Sequence, residues 1–411
     1  MKKSILACAV AVVLASANNA MAGGLWLNEV GDFAGGRASA GASAGTDDAA
    51  TIFHNPASAT RIEGKQLFLS VGALIPDQKF DVKYSSPRNG FGNGGDAGEA
   101  APGGAMAYIH DFGSDKWSGG IYLGGLAGAG LKYDKGWAGR YQNQETELLL
   151  MSLAPTLAYQ LTDKLSVGAS VQFWYTTLDL KAAVARPNPT LEDARAEIDG
   201  DDNGFDFTLG VMYELTERTR FGINYQSELS LDYDGDLKIK IPAGPVNSEE
   251  SLEVSSNTEL DMAQYVRASM HHDLDEHWSV NFTVGWDDWS TLDSVFISAK
   301  NGTVPVPTRW KDTYHYAWGA EYRLNNNWSL TGGVAYDTNP VDKEDRTADL
   351  PVDRQIRYAF GARYAVKDSL TVGGYINYAD LGKARIESED FGGKYKNNSL
   401  LGISVNANWR F

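Results

Sequence analysis

One short pattern recurs along this chain and leaves few folds open to it. An alternating stretch ends at or near Tyr, a tight polar turn follows, and a second alternating stretch begins at Trp or another apolar residue. It is seen in AYQLTDKLSVG (158–168), MYELTERTRFG (212–222), HHDLDEHWSV (271–280), EYRLNNNWSL (321–330) and RYAVKDSLTV (363–372), and more loosely in IHDFGSDKWSGG (109–120). Tyr159, Tyr213, Tyr322 and Tyr364 precede the turns, and Trp117, Trp278 and Trp328 follow them. Inside the stretches the period is two. Trp328, Leu330, Val334 and Tyr336 share one face, and Ser329, Thr331, Gly333 and Ala335 the other. One apolar face backed by a small or polar one fits a wall between lipid and a wet lumen. Aromatic residues beside short turns predict a girdle at one membrane face.

Between the short turns lie segments rich in Asp, Asn, Gly and Pro, near 76–103, 128–146, 182–202, 232–256, 300–310, 339–352 and 382–398. These are expected to be long loops on the opposite side. Six short turns join twelve strands, with one strand at 66–75 before them and one at 399–411 after. The fold expected is therefore all-β, a 14-stranded antiparallel transmembrane β-barrel over 65–411, an even number as bacterial barrels require. The last strand alternates Leu401, Ile403, Val405, Ala407, Trp409 and Phe411 against Gly402, Ser404, Asn406, Asn408 and Arg410, and ends on an aromatic residue.

The rest of the chain agrees with export. Lys2 and Lys3, an apolar run from Ile5 to Ala15, and Ala20-Met21-Ala22 read as a signal peptide over 1–22, with a mature start at Gly23. The only cysteine, Cys8, lies inside that segment, which leaves no disulfide and no thiol nucleophile. The formal charge of −17 less the two leader lysines is −19, which argues against nucleic-acid binding. No mature run is apolar for about 18 residues, the length a membrane helix needs. Residues 23–64 carry no sustained period and are rich in Gly, Ala and Ser. This stretch reads as an N-terminal hatch inside the wall, against the alternative of a loose tail. Asn55-Pro56-Ala57 is its turn into the barrel. Pro fixes its own φ and pushes Asn55 toward an extended conformation, and the Asn side chain can bond the turn backbone.

These segments carry a resemblance. LNEVGDFAGGRASAGASAGTDDAATIFHNPA, WAGRY (137–141), GWDDWS (285–290), RWKDTYHYAWG (309–319), NNWSLTGGVAYDTNPV (326–341) and the run from Leu350 onward together resemble the FadL-type family. These are outer-membrane channels for long-chain fatty acids and other hydrophobic compounds. The resemblance implies a fourteen-stranded barrel plugged by an N-terminal hatch, as the independent count does. It also implies a kinked third strand that opens the wall sideways, which here falls on Gly124, Gly125 and Gly128. The loop at 182–202 looks shorter than in fatty-acid members of the family.

Parity selects lumen candidates. With Tyr159 outward, Leu148 and Leu150 point inward. With Val171, Phe173 and Tyr175 outward, Trp174 and Leu178 point inward. Apolar residues on both faces of adjacent strands predict a greasy pocket in the extracellular half. A carboxylate ligand also needs a cation, because an unpaired buried charge is costly. Parity offers Lys311, His315, Arg267, Arg357 and Arg363, each with the bland alternative of pairing with acids such as Asp32, Asp47, Asp48 and Glu321. The six histidines show no metal spacing, and GGLAGAG (124–130) is not followed by a helix. No metal, cofactor or catalytic group is expected.

The expected function is passive uptake of hydrophobic small molecules, long-chain fatty acids first, across the bacterial outer membrane. Aromatic or alkane hydrocarbons, a surface-receptor or structural role, and an outer-membrane esterase are the alternatives. The expected partners are the ligand, outer-membrane lipids and the barrel assembly machinery through Phe411, with the chain a monomer.

Overall fold

The computed structural model describes residues 31–127, 130–242, 249–299, 302–349 and 351–411. The expected leader and the first residues of the expected hatch, 23–30, lie outside them. Fourteen antiparallel wall strands close into one barrel. They are β1 (Lys65–Ser85), β2 (Ala101–His110), β3 (Trp117–Ala127), β4 (Glu145–Thr162), β5 (Leu165–Val184) and β6 (Ala194–Thr216). β7 runs Thr219–Gln226 and Leu229–Pro242, β8 Glu249–Met262 and Tyr265–Asp273, β9 Trp278–Asp287 and Ser294–Ala299, and β10 Gly302–Pro307 and Thr313–Arg323. β11 (Trp328–Asp337), β12 (Gln355–Lys367), β13 (Leu370–Asp380) and β14 (Phe391–Arg410) complete the wall. β14 pairs back onto β1 from Gln66–Arg410 to Ser85–Phe391, which closes the sheet on itself.

The two faces separate by chemistry. Val71, Phe205, Phe360 and Val405 are among the exposed outward residues, with Phe205 at 74%. So continuous an apolar belt is tolerated only against lipid. On the other face of the wall Ser404, Asn406, Asn408, Gln172 and Thr208 are buried inside. The girdle takes a regular form. Trp117 faces Tyr159, Trp278 faces Tyr322 and Trp328 faces Tyr364 across neighbouring strands. Their ring centroids are 4.6, 4.7 and 4.7 Å apart.

Most of the expected long loops are strand. β1 continues to Ser85, β5 and β6 to Val184 and Ala194, and β7 and β8 to Pro242 and Glu249. The alternation simply changes its outer partner. Leu231, Tyr233, Leu237, Ile239 and Ile198 stay buried inside. On the outer side Lys238 pairs with Asp199 at 2.9 Å. Charged outer faces above the membrane gave these stretches a loop composition. Real loops cap the opposite wall. There Trp137 is fully buried and stacks on Tyr133 at 4.1 Å, and the Tyr133 hydroxyl donates to the Ala348 carbonyl at 2.7 Å.

Candidate functional site

Residues 31–62 lie inside the barrel as short helical turns: Phe33–Arg37, Ala42–Ala44, Thr51–His54 and Pro56–Arg61. The segment bonds to the wall on several sides. Asn406 donates to the Gly31 carbonyl at 2.8 Å, the Gly41 amide to Thr283 at 2.8 Å, and the Ser43 hydroxyl to Asn224 at 2.7 Å. Asn55 is extended (φ −155, ψ 109) and caps the Pro56–Arg61 turn by accepting from the Ala57 amide at 3.0 Å. Its amide donates to the Val211 carbonyl at 3.0 Å, tying the turn to β6. Wall glycines allow this approach. A Cβ on Gly222 would run into the Ser43 carbonyl, and one on Gly333 into that of Arg37.

Above the segment the lumen turns apolar. Leu148, Leu150, Trp174 and Leu178 are all buried, at 1–6% exposure, in one cluster with Leu229, Leu231, Tyr233, Leu260, Tyr265 and Trp289 among others. The four residues chosen by parity on β4 and β5 thus meet residues from β6 to β10, which sequence reasoning left out. Trp289 and Leu292 come from the break in β9, where no parity applies.

The candidate cations divide differently. Lys311 does not face the lumen: it is exposed and pairs with Asp342. It lies in the 308–312 break of β10, where Arg309 has φ 50, so inward parity counted back from Tyr322 does not carry across. The other four are inside, and each already has an acid. Arg267 is 2.7 Å from Asp287, and Arg357 is 2.8 Å from Asp337. His315 Nδ1 is 2.8 Å from the same Asp337. Arg363 holds Asp47 at 2.9 Å and also Glu321. Arg37 completes that group, 2.6 Å from Asp47. Burial works to raise the Asp47 pKa, but Arg37 and Arg363 outweigh it and hold the carboxyl well below the usual range. A cavity of about 30 Å³, bounded in part by Phe53, His54, Tyr265, Arg267 and His315, separates the segment from the upper ion pairs. It has room for about one water.

Residues 13–411 match the family described as outer membrane protein transport protein (OMPP1/FadL/TodX). The chain belongs to this FadL/TodX family. A long-chain fatty acid transport protein of Salmonella typhi is 25% identical over 403 residues, covering 92% of this chain and 91% of that one. A crystal structure of a Pseudomonas aeruginosa FadL homologue superposes with TM-score 0.84 at 19% identity, over 92% of this chain and 97% of that one. A Pseudomonas putida toluene transporter, TodX, superposes with TM-score 0.70 at 21% identity, over 88% and 93%. As a FadL/TodX barrel, this is a bacterial outer-membrane protein, and it serves hydrophobic uptake.

In this FadL/TodX wall the expected break at Gly124–Gly125 moves by one step. Both glycines are paired on both sides, with Ala105 and Gly104 of β2 and with Ser152 and Met151 of β4. Among the described residues, the β2–β3 ladder stops at Gly104–Gly125. Beyond it Pro102 and Gly103 pair only with β1, and Leu126 and Ala127 only with β4. Pro102 has no N–H to donate and belongs where a ladder is open. Gly124 has another use: a Cβ there would strike the ring of Tyr122, which packs on Phe53 of the lumenal segment at 4.6 Å. Gly128 lies outside the described residues. Sequence reasoning also missed Asp206, a buried acid with inward parity between the outward Phe205 and Phe207. That parity was the available signal.

Proposed function

We propose that this chain is a passive channel through which hydrophobic small molecules cross the outer membrane. A ligand leaves the outside, settles against the apolar cluster of the upper lumen, and moves on as residues 31–64 shift against the wall. That segment acts as the hatch. The observation that carries this is the stacking of the two: an apolar cluster above, and a small-residue segment held to the wall mostly by side-chain hydrogen bonds and by ion pairs below. Release beside β2 and β3 suits such a cargo. Each buried CH₂ is worth about 0.8 kcal/mol in an apolar medium, so leaving sideways into lipid is far easier than leaving into water.

The relatives' names put long-chain fatty acids and toluene forward as cargo. The geometry favours cargo that is uncharged inside the lumen, because Arg267, Arg357 and Arg363 each already face a carboxylate. Fatty acids remain the second reading, on the strength of the relatives. Uptake of labelled oleate and labelled toluene by a strain lacking this chain, with and without its restoration, tests both. Failure of restoration to raise the uptake of either compound would overturn the channel.

A further inference from the structure

The outer end of the barrel carries a polar cleft of about 540 Å³, apart from the lumen. It opens between the 339–346 stretch, the entry to β12 at 353–354 and the 382–385 stretch that follows β13. In a chain of net charge −17 it is lined by five cations, Lys343, Arg346, Arg354, Lys383 and Arg385, against three acids, Asp342, Glu344 and Asp353. Two of the cations are taken. Arg354 is 3.0 Å from Asp380, and Lys343 is 2.5 Å from Glu387 and 3.3 Å from Glu344. Asp342 is held from outside the cleft by Lys311, and the Asp353 carboxyl accepts the Arg354 amide at 2.8 Å. The other three cations lack an acid of their own. Arg346 is 4% exposed, and its guanidinium donates to the Val352, Arg385 and Val341 carbonyls and to Asn339 Oδ1, all neutral acceptors. Among the described residues Lys383 has no acid within ion-pair distance, and Arg385 reaches only Glu387, at 3.9 Å, which Lys343 already holds.

We propose that this cleft binds a phosphate monoester, with Lys383 and Arg385 on the anion and Arg346 as the buried charge behind them. A buried cation with no counter-ion is costly, and an anion seated beside it recovers part of that cost. The charge count selects the anion. A phosphate monoester carries about −1.5 to −2 at neutral pH, which matches three cations without acids better than the single charge of a carboxylate. Guanidinium groups also present paired N–H donors to its oxygens. The place of the cleft admits two carriers of that group. Tyr358 and Tyr378 form an exposed cross-strand pair on the outer faces of β12 and β13. Asp380, the partner of Arg354, stands two residues beyond Tyr378, about 7 Å along the strand. Lipid head groups reach that height, and so does solute from outside. A phosphorylated lipid of the outer leaflet and a free phosphate ester therefore bring the same chemistry to it.

Three probes separate the carriers: glycerol 3-phosphate, dihexanoyl phosphatidic acid and dihexanoylglycerol, which has the acyl chains without the phosphate. Binding to the purified full-length barrel in uncharged detergent is measured by calorimetry. The wild type is expected to bind the phosphatidic acid about ten- to a hundredfold more tightly than the diacylglycerol, the range for hydrogen bonds to a charged group. Lys383→Ala with Arg385→Ala should bring the two to the same affinity. Folding of each variant is checked by heat-modifiable gel mobility. If the double variant does not fold, Lys383→Ala alone should lose part of the preference. Glycerol 3-phosphate bound as tightly as the phosphatidic acid assigns the cleft to free esters, and phosphatidic acid bound alone assigns it to lipid. Equal affinity for phosphatidic acid and diacylglycerol in the wild type, or a preference that survives in the folded variant, overturns the proposal. The channel reading stands in either case, since the cleft lies outside the lumen.

Discussion

Arg363 of β12 and Asp47 of the lumenal segment meet at 2.9 Å, although 316 positions separate them. Asp47 also takes Arg37 of its own segment, and Arg363 takes Glu321 of β10, so two cations and two acids share one buried group. The pair fixes the segment to one side of the wall. Removing a partner from a buried ion pair leaves an uncompensated charge and costs about 3–5 kcal/mol. Asp47→Asn is therefore expected to loosen the segment without opening the barrel sheet. Planar-bilayer conductance should rise severalfold while heat-modifiable mobility stays that of a folded barrel. Equal conductance would mean that the hydrogen bonds elsewhere and the Arg61–Glu214 pair hold the segment without it. Because folding depresses the Asp47 pKa, its contribution is present above the unfolded carboxylate value near pH 3.9 and lost as pH falls below it. Conductance from this cause should stay flat between about pH 8 and pH 5.

Wall glycines give a second handle on the same contact. Gly222→Ala would drive a methyl into the Ser43 carbonyl, whereas Gly125→Ala meets nothing nearer than the Met151 side chain at 3.7 Å. The first substitution should raise conductance and lower the unfolding temperature, and the second should change neither. A silent Gly222→Ala would show that the segment can sit further from β7 at no cost.

How legible all this was depended on whether an element obeys one period. The Trp117–Tyr159, Trp278–Tyr322 and Trp328–Tyr364 pairs follow from residues flanking short turns, and alternation alone placed Trp174 and Leu178 inside. Parity fails where a strand is interrupted, which is why Lys311 was misplaced and Trp289 unseen. Strand lengths above the membrane were hidden because the outer face there exchanges lipid for water, so Lys238 and Asp199 look like loop residues. Ion partners were only partly open to sequence reading. Asp47 and Glu321 were named as possible acids, but the pairing of Arg267 with Asp287 and of Arg357 with Asp337 depends on the register between strands, and composition does not carry register.

The paired cations lead to a test of the head-group reading. Arg357→Ala would leave Asp337 buried beside His315, so the expected effect is lost stability of about 3–5 kcal/mol, not a selective loss of acid binding. Removing both members, Arg357→Met with Asp337→Leu, should recover most of it. Lys311→Ala should do neither, since an exposed pair contributes about 0–1 kcal/mol. Denaturant unfolding followed by tryptophan fluorescence, alongside binding of decanoate and decanol, reads both effects. A decanoate-specific loss at unchanged stability would restore Arg357 as a head-group partner.

The place where the β2–β3 ladder stops offers a test of the proposed sideways exit. Among the described residues Gly104–Gly125 is the last pair of this ladder, and pairing is found again at Glu99–Gly130, between the short strands 98–99 and 130–132. The register is the same on both sides of the interruption, five residues further along each strand. Nothing in the sequence offset therefore forces the gap. On the β2 side stand Pro102, which has no N–H, and Gly103, which has no side chain to pack, both poor ladder residues. Supplying both should let the ladder zip: Pro102→Thr with Gly103→Val adds a donor and two strand-forming side chains. The barrel should remain folded, gain thermal stability and lose most of its uptake of a hydrophobic cargo. Stability that rises while uptake stays at the wild-type rate would show that the gap is not the exit, and that cargo passes down the axis beside the lumenal segment.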